Sequence, residues 1–364
     1  MSAGIKQFNW KKKMLLTSIV IAVIIFLLVS FLGYCSYRYN QVMRIDDSVG
    51  INESMYVPIG ETSQWVQIRG RDRNNPVILW LNGGPGFSTI PQTFFHRELE
   101  EHFTVVMWDQ RGEGKSFAFS GPDISSTMTV ERMAADGIEL TKFIKQQYGF
   151  TDIWIMGHSW GSILGVRMAH LEPELFSTYI GTGQIVNLKK AMELEYPSIL
   201  RTLRDSDNKQ AFEKLDAMGP PPYERPDDYI VPIIWANAYD AVAPHKNSAR
   251  SKFAEIWAYF KIIFLTDKAV KKGMAFSQEQ MLGAMLDEKI EGLGLSFEIP
   301  IIFIQGSEDK LCPTSMVEDY FQSISAPKKK FIVLEDAGHL ALLKNRGLFR
   351  EVLLEVKSFL YETK

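Results

Sequence analysis

Three short apolar runs recur along the first half of the chain, and each stops at a glycine-bearing turn. Val77-Ile-Leu-Trp-Leu81 leads into Asn82-Gly-Gly-Pro-Gly86, and Phe103-Thr-Val-Val-Met-Trp108 leads into Asp109-Gln-Arg-Gly112. Asp152-Ile-Trp-Ile-Met156 leads into Gly157-His-Ser-Trp-Gly161. Runs this short, without polar alternation, suit strands buried on both faces, as in a parallel sheet. Between the second and third runs the spacing predicts a helix. Val130, Met133, Ala134, Gly137, Ile138, Thr141, Ile144 and Tyr148 share one face, and Gly149 stands where a C-terminal cap belongs. Ser162 to His170 reads as a further helix stopped around Pro173, and Tyr179-Ile-Gly-Thr-Gly183 as the next strand.

The alternation then breaks. Residues 186–298 read as long helical stretches rich in Met, Trp and Tyr, split by Gly219-Pro-Pro-Pro222. It resumes with strands at Ile299-Pro-Ile-Ile-Phe-Ile304 and Lys330-Phe-Ile-Val-Leu334, and a helix is expected from about Leu340 to Tyr361. The expected architecture is α/β, a doubly wound and mostly parallel sheet. Residues 55–185 and 299–364 form its core and 186–298 a helical cap. A hydrophobic content of 46% with 23% charged residues is consistent with a sizeable core.

Ahead of the first strand, Met14 to Tyr34 carries no charge and is dense in Ile, Leu, Val and Phe. A helix of that length spans a bilayer core of about 30 Å. Lys6, Lys11, Lys12 and Lys13 precede it, and Arg38 and Arg44 follow beside Asp46 and Asp47. The charge bias predicts residues 1–13 in the cytoplasm, residues 14–34 as a retained signal anchor, 35–54 as a stalk, and the remainder outside. A cleaved signal peptide is the rival reading, disfavoured by the length of the apolar stretch and the lack of an A-x-A-like site. Leu32-Gly33-Tyr34-Cys35 is a poor lipoprotein box because Tyr34 is bulky. Cys35 and Cys312 are read as free thiols. A net charge of -3 gives no reason to expect nucleic acid as a partner.

Gly157-His-Ser159-Trp-Gly161 matches G-x-S-x-G, the nucleophile elbow, in which the serine sits on a tight strand-to-helix turn. A serine hydroxyl needs a base within hydrogen-bond reach. Of six histidines, only His339, in Asp336-Ala-Gly-His339, follows a strand downstream of the serine. His96, His102, His158, His170 and His245 are read as surface or packing residues, and His158 is expected to point away from the nucleophile. Asp309, in Gly306-Ser-Glu-Asp309, ends the preceding strand and is the expected acid, with Glu308 and Asp336 as competitors. The order Ser159, Asp309, His339 is the one expected for α/β-hydrolases. The oxyanion donors are expected from the backbone N–H of Trp160 and from Gly84, with Gly83 as the alternative.

Together with Trp108-Asp109-Gln110-Arg111-Gly112-x-Gly114-x-Ser116, these motifs resemble the prolyl aminopeptidase (proline iminopeptidase) family over residues 75 to 185 and 299 to 342. The resemblance implies the α/β-hydrolase fold, a Ser159–His339–Asp309 triad, and a structural rather than catalytic loop at Asp109 and Arg111. Where the family usually has His, this chain has Asn82. Trp80 to Gly86 also resembles serine carboxypeptidases, but these carry Glu where this chain has His158. In prolyl aminopeptidases cap glutamates hold the substrate amine; here Glu193, Glu195 and Glu255 are candidates in name only, and each is read as a solvated helix residue. Trp235, Tyr239, Trp257, Tyr259 and Phe260 are available either to line an apolar pocket or to pack the cap. The expected function is acyl transfer, by an aminopeptidase or by an esterase or lipase. A non-catalytic scaffold is the third reading, and no metal or organic cofactor is implied.

Overall fold

The computed structural model describes residues 10–238, 252–266, 268–340, 342 and 345–362. Two compact units divide them. The larger holds an eight-stranded sheet: β1 (Ile51–Ile59), β2 (Thr62–Gly70), β3 (Val77–Leu81), β4 (Thr104–Trp108), β5 (Ile153–His158), β6 (Thr178–Thr182), β7 (Ile301–Gly306) and β8 (Lys329–Leu334). Their order is β1-β2-β4-β3-β5-β6-β7-β8. Only the β1–β2 and β2–β4 pairings are antiparallel. From β3 to β8 the strands are parallel.

The chain passes from β3 outward to β4 and then returns to the other side of β3 to build β5. That reversal opens a crevice beyond the carboxyl ends of β3 and β5, where ligands bind in sheets of this kind. The loops that leave those two strands are Asn82–Gly86 and the turn at Ser159.

Alternate residues of the central strands serve opposite faces, as the pleat requires. Leu79, Leu81, Val106, Ile153 and Ile155 join one core with the helices Val130–Tyr148 and Trp160–Leu171. Ile78, Trp80, Val105, Trp154 and Met156 join the other with the helix Arg346–Tyr361. Both faces are dry, so the strands read as unbroken apolar runs. Thr129 caps the first of these helices through its side chain and Gly149 ends it in the left-handed conformation. The final helix runs Arg346–Tyr361, and Asn345 caps its start by accepting the Leu348 N–H.

Between β6 and β7 the described residues are helical, at Leu188–Arg204, Lys209–Met218, Ile230–Ala238, Lys252–Phe260 and Lys268–Asp287. The fourth of these belongs to the smaller unit. There the N-terminal helix Trp10–Met43 packs on it through Phe31 and Tyr34, whose rings lie 6.2 and 5.1 Å from that of Phe253. The N-terminal helix is long and apolar enough to cross a membrane, a property it shares with signal sequences. It continues to Met43, through the first half of the segment 35–54 expected as a stalk, and β1 occupies the end of that segment. Tyr37–Met43 stays helical despite its polarity, with Arg38 Nη1 donating to Tyr34 Oη one turn back.

Candidate active site

Ser159 stands between β5 and the helix Trp160–Leu171 with φ 53° and ψ -121°. A non-glycine residue held there stores strain of about 1–3 kcal/mol. The flanking glycines make the turn possible. A Cβ on Gly157 would lie 2.5 Å from the Gly161 carbonyl oxygen, and one on Gly161 would strike the Leu81 carbonyl. Trp160 opens the helix, so its N–H is among those without an intrahelical acceptor.

His339 and Asp309 leave the carboxyl ends of neighbouring strands, β8 and β7. His339 Nδ1 and Asp309 Oδ2 are 2.9 Å apart, both side chains almost fully buried. Asp309 accepts three further hydrogen bonds, from Gln305 Nε2 at 2.8 Å, Leu311 N at 2.9 Å and Cys312 N at 2.8 Å. Glu308 and Asp336, the competing acids, do not take this place. Ser159 and His339 line one cavity of about 630 Å³, together with Gly83 and Gly84. Ser159, Asp309, His339 and the glycine loop, far apart in sequence, thus meet at one edge of the sheet.

His158 is placed otherwise than expected. Its ring lines the same cavity, 4.9 Å from the His339 ring, with Nδ1 2.9 Å from Thr182 Oγ1. Burial, and then the neighbouring His339, lower its pKa to about 3, so it stays neutral. The last side chain of a strand reaches the carboxyl edge whichever face it leaves by, and that rule, applied to β5, would have found it. His96 packs between Trp80 and Phe349 and is likewise held neutral by burial. His245 and Tyr239 lie outside the described residues.

A buried polar chain supports the glycine loop. Asn82 Nδ2 donates to Phe87 O at 2.6 Å and to both Glu113 carboxylate oxygens at 3.0 Å. Gln110 Nε2 donates to Asn82 Oδ1 at 3.2 Å, and Trp160 Nε1 donates to Gln110 Oε1 at 3.0 Å. The chain therefore joins the loop after β3 to the first residue of the elbow helix. Asp109 accepts from Ser88 Oγ and, at 2.7 Å, from Lys115 N. Burial raises its pKa to about 6, and burial and the Asp109 charge raise that of Glu113. Arg111 braces the same loop, donating to both Asp136 oxygens at 2.8 and 3.1 Å and to Gly60 O at 2.7 Å.

Asp309, Cys312 and His339 carry ligand atoms within 4.8 Å of one another, a spacing that would admit an ion. The donor set fits poorly. Burial and the Asp309 charge push the Cys312 thiol well above its ordinary pKa, and the carboxylate already accepts four hydrogen bonds. The glutamates considered for a substrate amine are dispersed. Glu193 is exposed, Glu195 lies with Ser198, Glu308 and Lys310 in a separate polar recess, and Glu255 belongs to the smaller unit. Trp257 and Phe260 stack on each other in that unit, 5.1 Å apart.

A family model described as the alpha/beta hydrolase fold matches residues 76–216. Over 303 residues the chain is 28% identical to a Bacillus subtilis protein named probable aminopeptidase YbaC, covering 81% of this chain and 93% of that one. The chain has the α/β-hydrolase fold and resembles the prolyl aminopeptidases. Among solved structures, the chain is similar to a proline iminopeptidase-related protein of Thermus thermophilus, with 18% identity, a TM-score of 0.58, and 85% and 98% of the two chains covered. It is also similar to an esterase of Exiguobacterium antarcticum, with 17% identity, a TM-score of 0.54, and 84% and 99% covered. One hydrolase scaffold thus carries both peptide and ester names, and the residues of the site must decide between them.

Proposed function

We propose that this α/β hydrolase is a membrane-anchored serine hydrolase working by acyl transfer. The observation that carries the reading is the Asp309–His339 hydrogen bond at 2.9 Å in the cavity that Ser159 lines. Ser159 Oγ attacks the substrate carbonyl as His339 takes its proton. Asp309 holds the imidazole in one tautomer and steadies its positive form. The N–H groups of Trp160 and Gly84, or Gly83, receive the oxyanion. His339 then protonates the leaving group and activates water to release the acyl group from Ser159. Asp109, Glu113, Asn82 and Gln110 keep the oxyanion loop and the elbow in register.

The names of the sequence relatives support a peptide with a free N-terminus as substrate. The apolar wall of the cavity supports an ester or lipid as a second reading. The helix Trp10–Met43 is read as the anchor, with its lysine-rich end in the cytoplasm and the sheet outside. A fluorophosphonate probe should label the wild-type chain and not Ser159→Ala. Equal labelling of the two would remove Ser159 as nucleophile. Protease added outside intact cells should cut the sheet-bearing unit, and full protection beside a cleaved external control would reverse the orientation.

A further inference from the structure

The cavity wall carries information about charge as well as size. Around Ser159 it is built from Phe87, Ile185, Leu188, Ile233, Met274 and Met285, among others. Its neutral polar groups are Thr89, Gln92 and Gln278. Among the described lining residues the ionisable side chains are His158 and His339, neither of which can become an anion, and His158 is held neutral by burial.

The helix Lys268–Asp287 supplies one side of this wall and is fixed close to the glycine loop. Ser277 Oγ donates to Gly112 O at 2.8 Å, and a Cβ on Gly86 would lie 2.7 Å from Ser277 Cβ. Met274 and Gln278 are one turn apart on this helix, so both face the cavity. Met274 and Gln278 are both exposed, so a substrate ammonium beside them would keep part of its water and exchange the rest for amides and hydrocarbon. It would also share the cavity with His339 at the moment that imidazole becomes cationic. Desolvated charge without a counter-ion is strongly disfavoured, and a like charge nearby adds to the penalty.

We infer that the site accepts an uncharged, apolar acyl group in preference to an aminoacyl group, and that Gln278, as a neutral group in the wall, sets this preference. The inference rests on the serine-hydrolase reading and deepens it: the favoured substrate class is carboxylic esters of apolar acids. An aminoacyl substrate can still enter by shedding its proton, which at about pH 6.5 limits discrimination to roughly tenfold or a little more. Apolar contact gives a second signature. Each methylene added to the acyl chain should raise kcat/KM about fourfold until the cavity is full.

The test uses p-nitrophenyl butyrate and p-nitrophenyl 2-aminobutyrate, which share a leaving group and carbon skeleton and differ by the ammonium. Each rate on the full chain in detergent is divided by its uncatalysed rate at about pH 6.5. The butyrate should have at least about tenfold the corrected kcat/KM, and Gln278→Glu should narrow the gap several-fold by improving the aminobutyrate. Equal or reversed preference in the wild type overturns the inference. So does a Gln278→Glu variant that folds, labels with fluorophosphonate and keeps the original gap. Fluorophosphonate labelling of Ser159 with turnover of neither ester also overturns it while leaving the hydrolase reading intact. Absence of both labelling and turnover defeats the hydrolase reading itself.

Discussion

On one flank of Ser159 a single carboxylate, Asp309, accepts from His339 Nδ1 and from three further N–H donors. On the other flank two carboxylates, Asp109 and Glu113, share a dry pocket behind the glycine loop, and burial raises the pKa of both. The first arrangement surrounds one anion with dipoles, and an anion so placed is suited to steadying an imidazolium. The second sets two acids against each other, so both hold their protons more tightly than ordinary carboxyls, and the pair serves as a hydrogen-bonded frame. The same residue type is thus fitted to charge stabilisation in one place and to positioning in another, by its neighbours alone.

Removing the charge on the first flank should have the largest effect. Asp309→Asn keeps the shape but offers His339 the wrong hydrogen-bond partner, and kcat should fall on the order of 10⁴-fold in steady-state assays. A loss under tenfold would remove Asp309 from the proton-transfer machinery. On the second flank the large effects should be on stability. Arg111→Met strips Asp136 of its bidentate partner in the core, although Arg132 Nε still donates to it at 2.8 Å. Urea unfolding should show a loss of about 3 kcal/mol, at the low end for a broken buried pair. An unchanged midpoint would mean the brace contributes nothing.

Asn82→Ala should fall between these two kinds of effect. It cuts the chain from Glu113 to Trp160, loosening the proposed oxyanion donors against each other. We expect kcat to fall about 10²-fold with KM little altered. A change confined to KM would place Asn82 in substrate binding instead. The smallest effect is one of pH. Asp109 has a pKa near 6 in the folded chain against an ordinary value of 3.8. Its folded pKa is the higher, so the folded state holds the proton more tightly than the unfolded one. Its contribution to stability is full below 3.8 and is lost as pH rises towards about 6. Melting temperature should therefore drop through that window more steeply in the wild type than in Asp109→Asn, and parallel curves would contradict the assignment.

The central strands and the elbow were legible because each is a local pattern: an apolar run, a glycine turn, a capped amphipathic helix. The hairpin of β1 and β2 was less so. Its strands lie at the sheet edge and mix Glu53, Gln64 and Gln67 with Val57, Val66 and Ile68, so neither strong alternation nor an unbroken apolar run marks them. Its two-residue turn, Gly60-Glu61, has positive φ at both positions, 57° and 63°, and only its glycine hinted at that. At the site, Ser159, Asp309 and His339 could be read from strand-end placement. The Glu113–Asn82–Gln110–Trp160 chain could not, because its members come from separate loops and meet only when β3, β4 and β5 lie side by side. His158, expected to point away from the nucleophile, lines the cavity beside Ser159 because it ends β5 at the carboxyl edge of the sheet.

Covalent acyl transfer through Ser159 is the claim on which the rest depends, and rapid-quench mass spectrometry with p-nitrophenyl butyrate addresses it directly. The account predicts a stoichiometric burst of p-nitrophenol together with a butyryl group on the peptide carrying Ser159, both absent in Ser159→Ala. Steady turnover in which the Ser159→Ala variant matches the wild type, with no butyryl adduct on that peptide at any quench time, would contradict it.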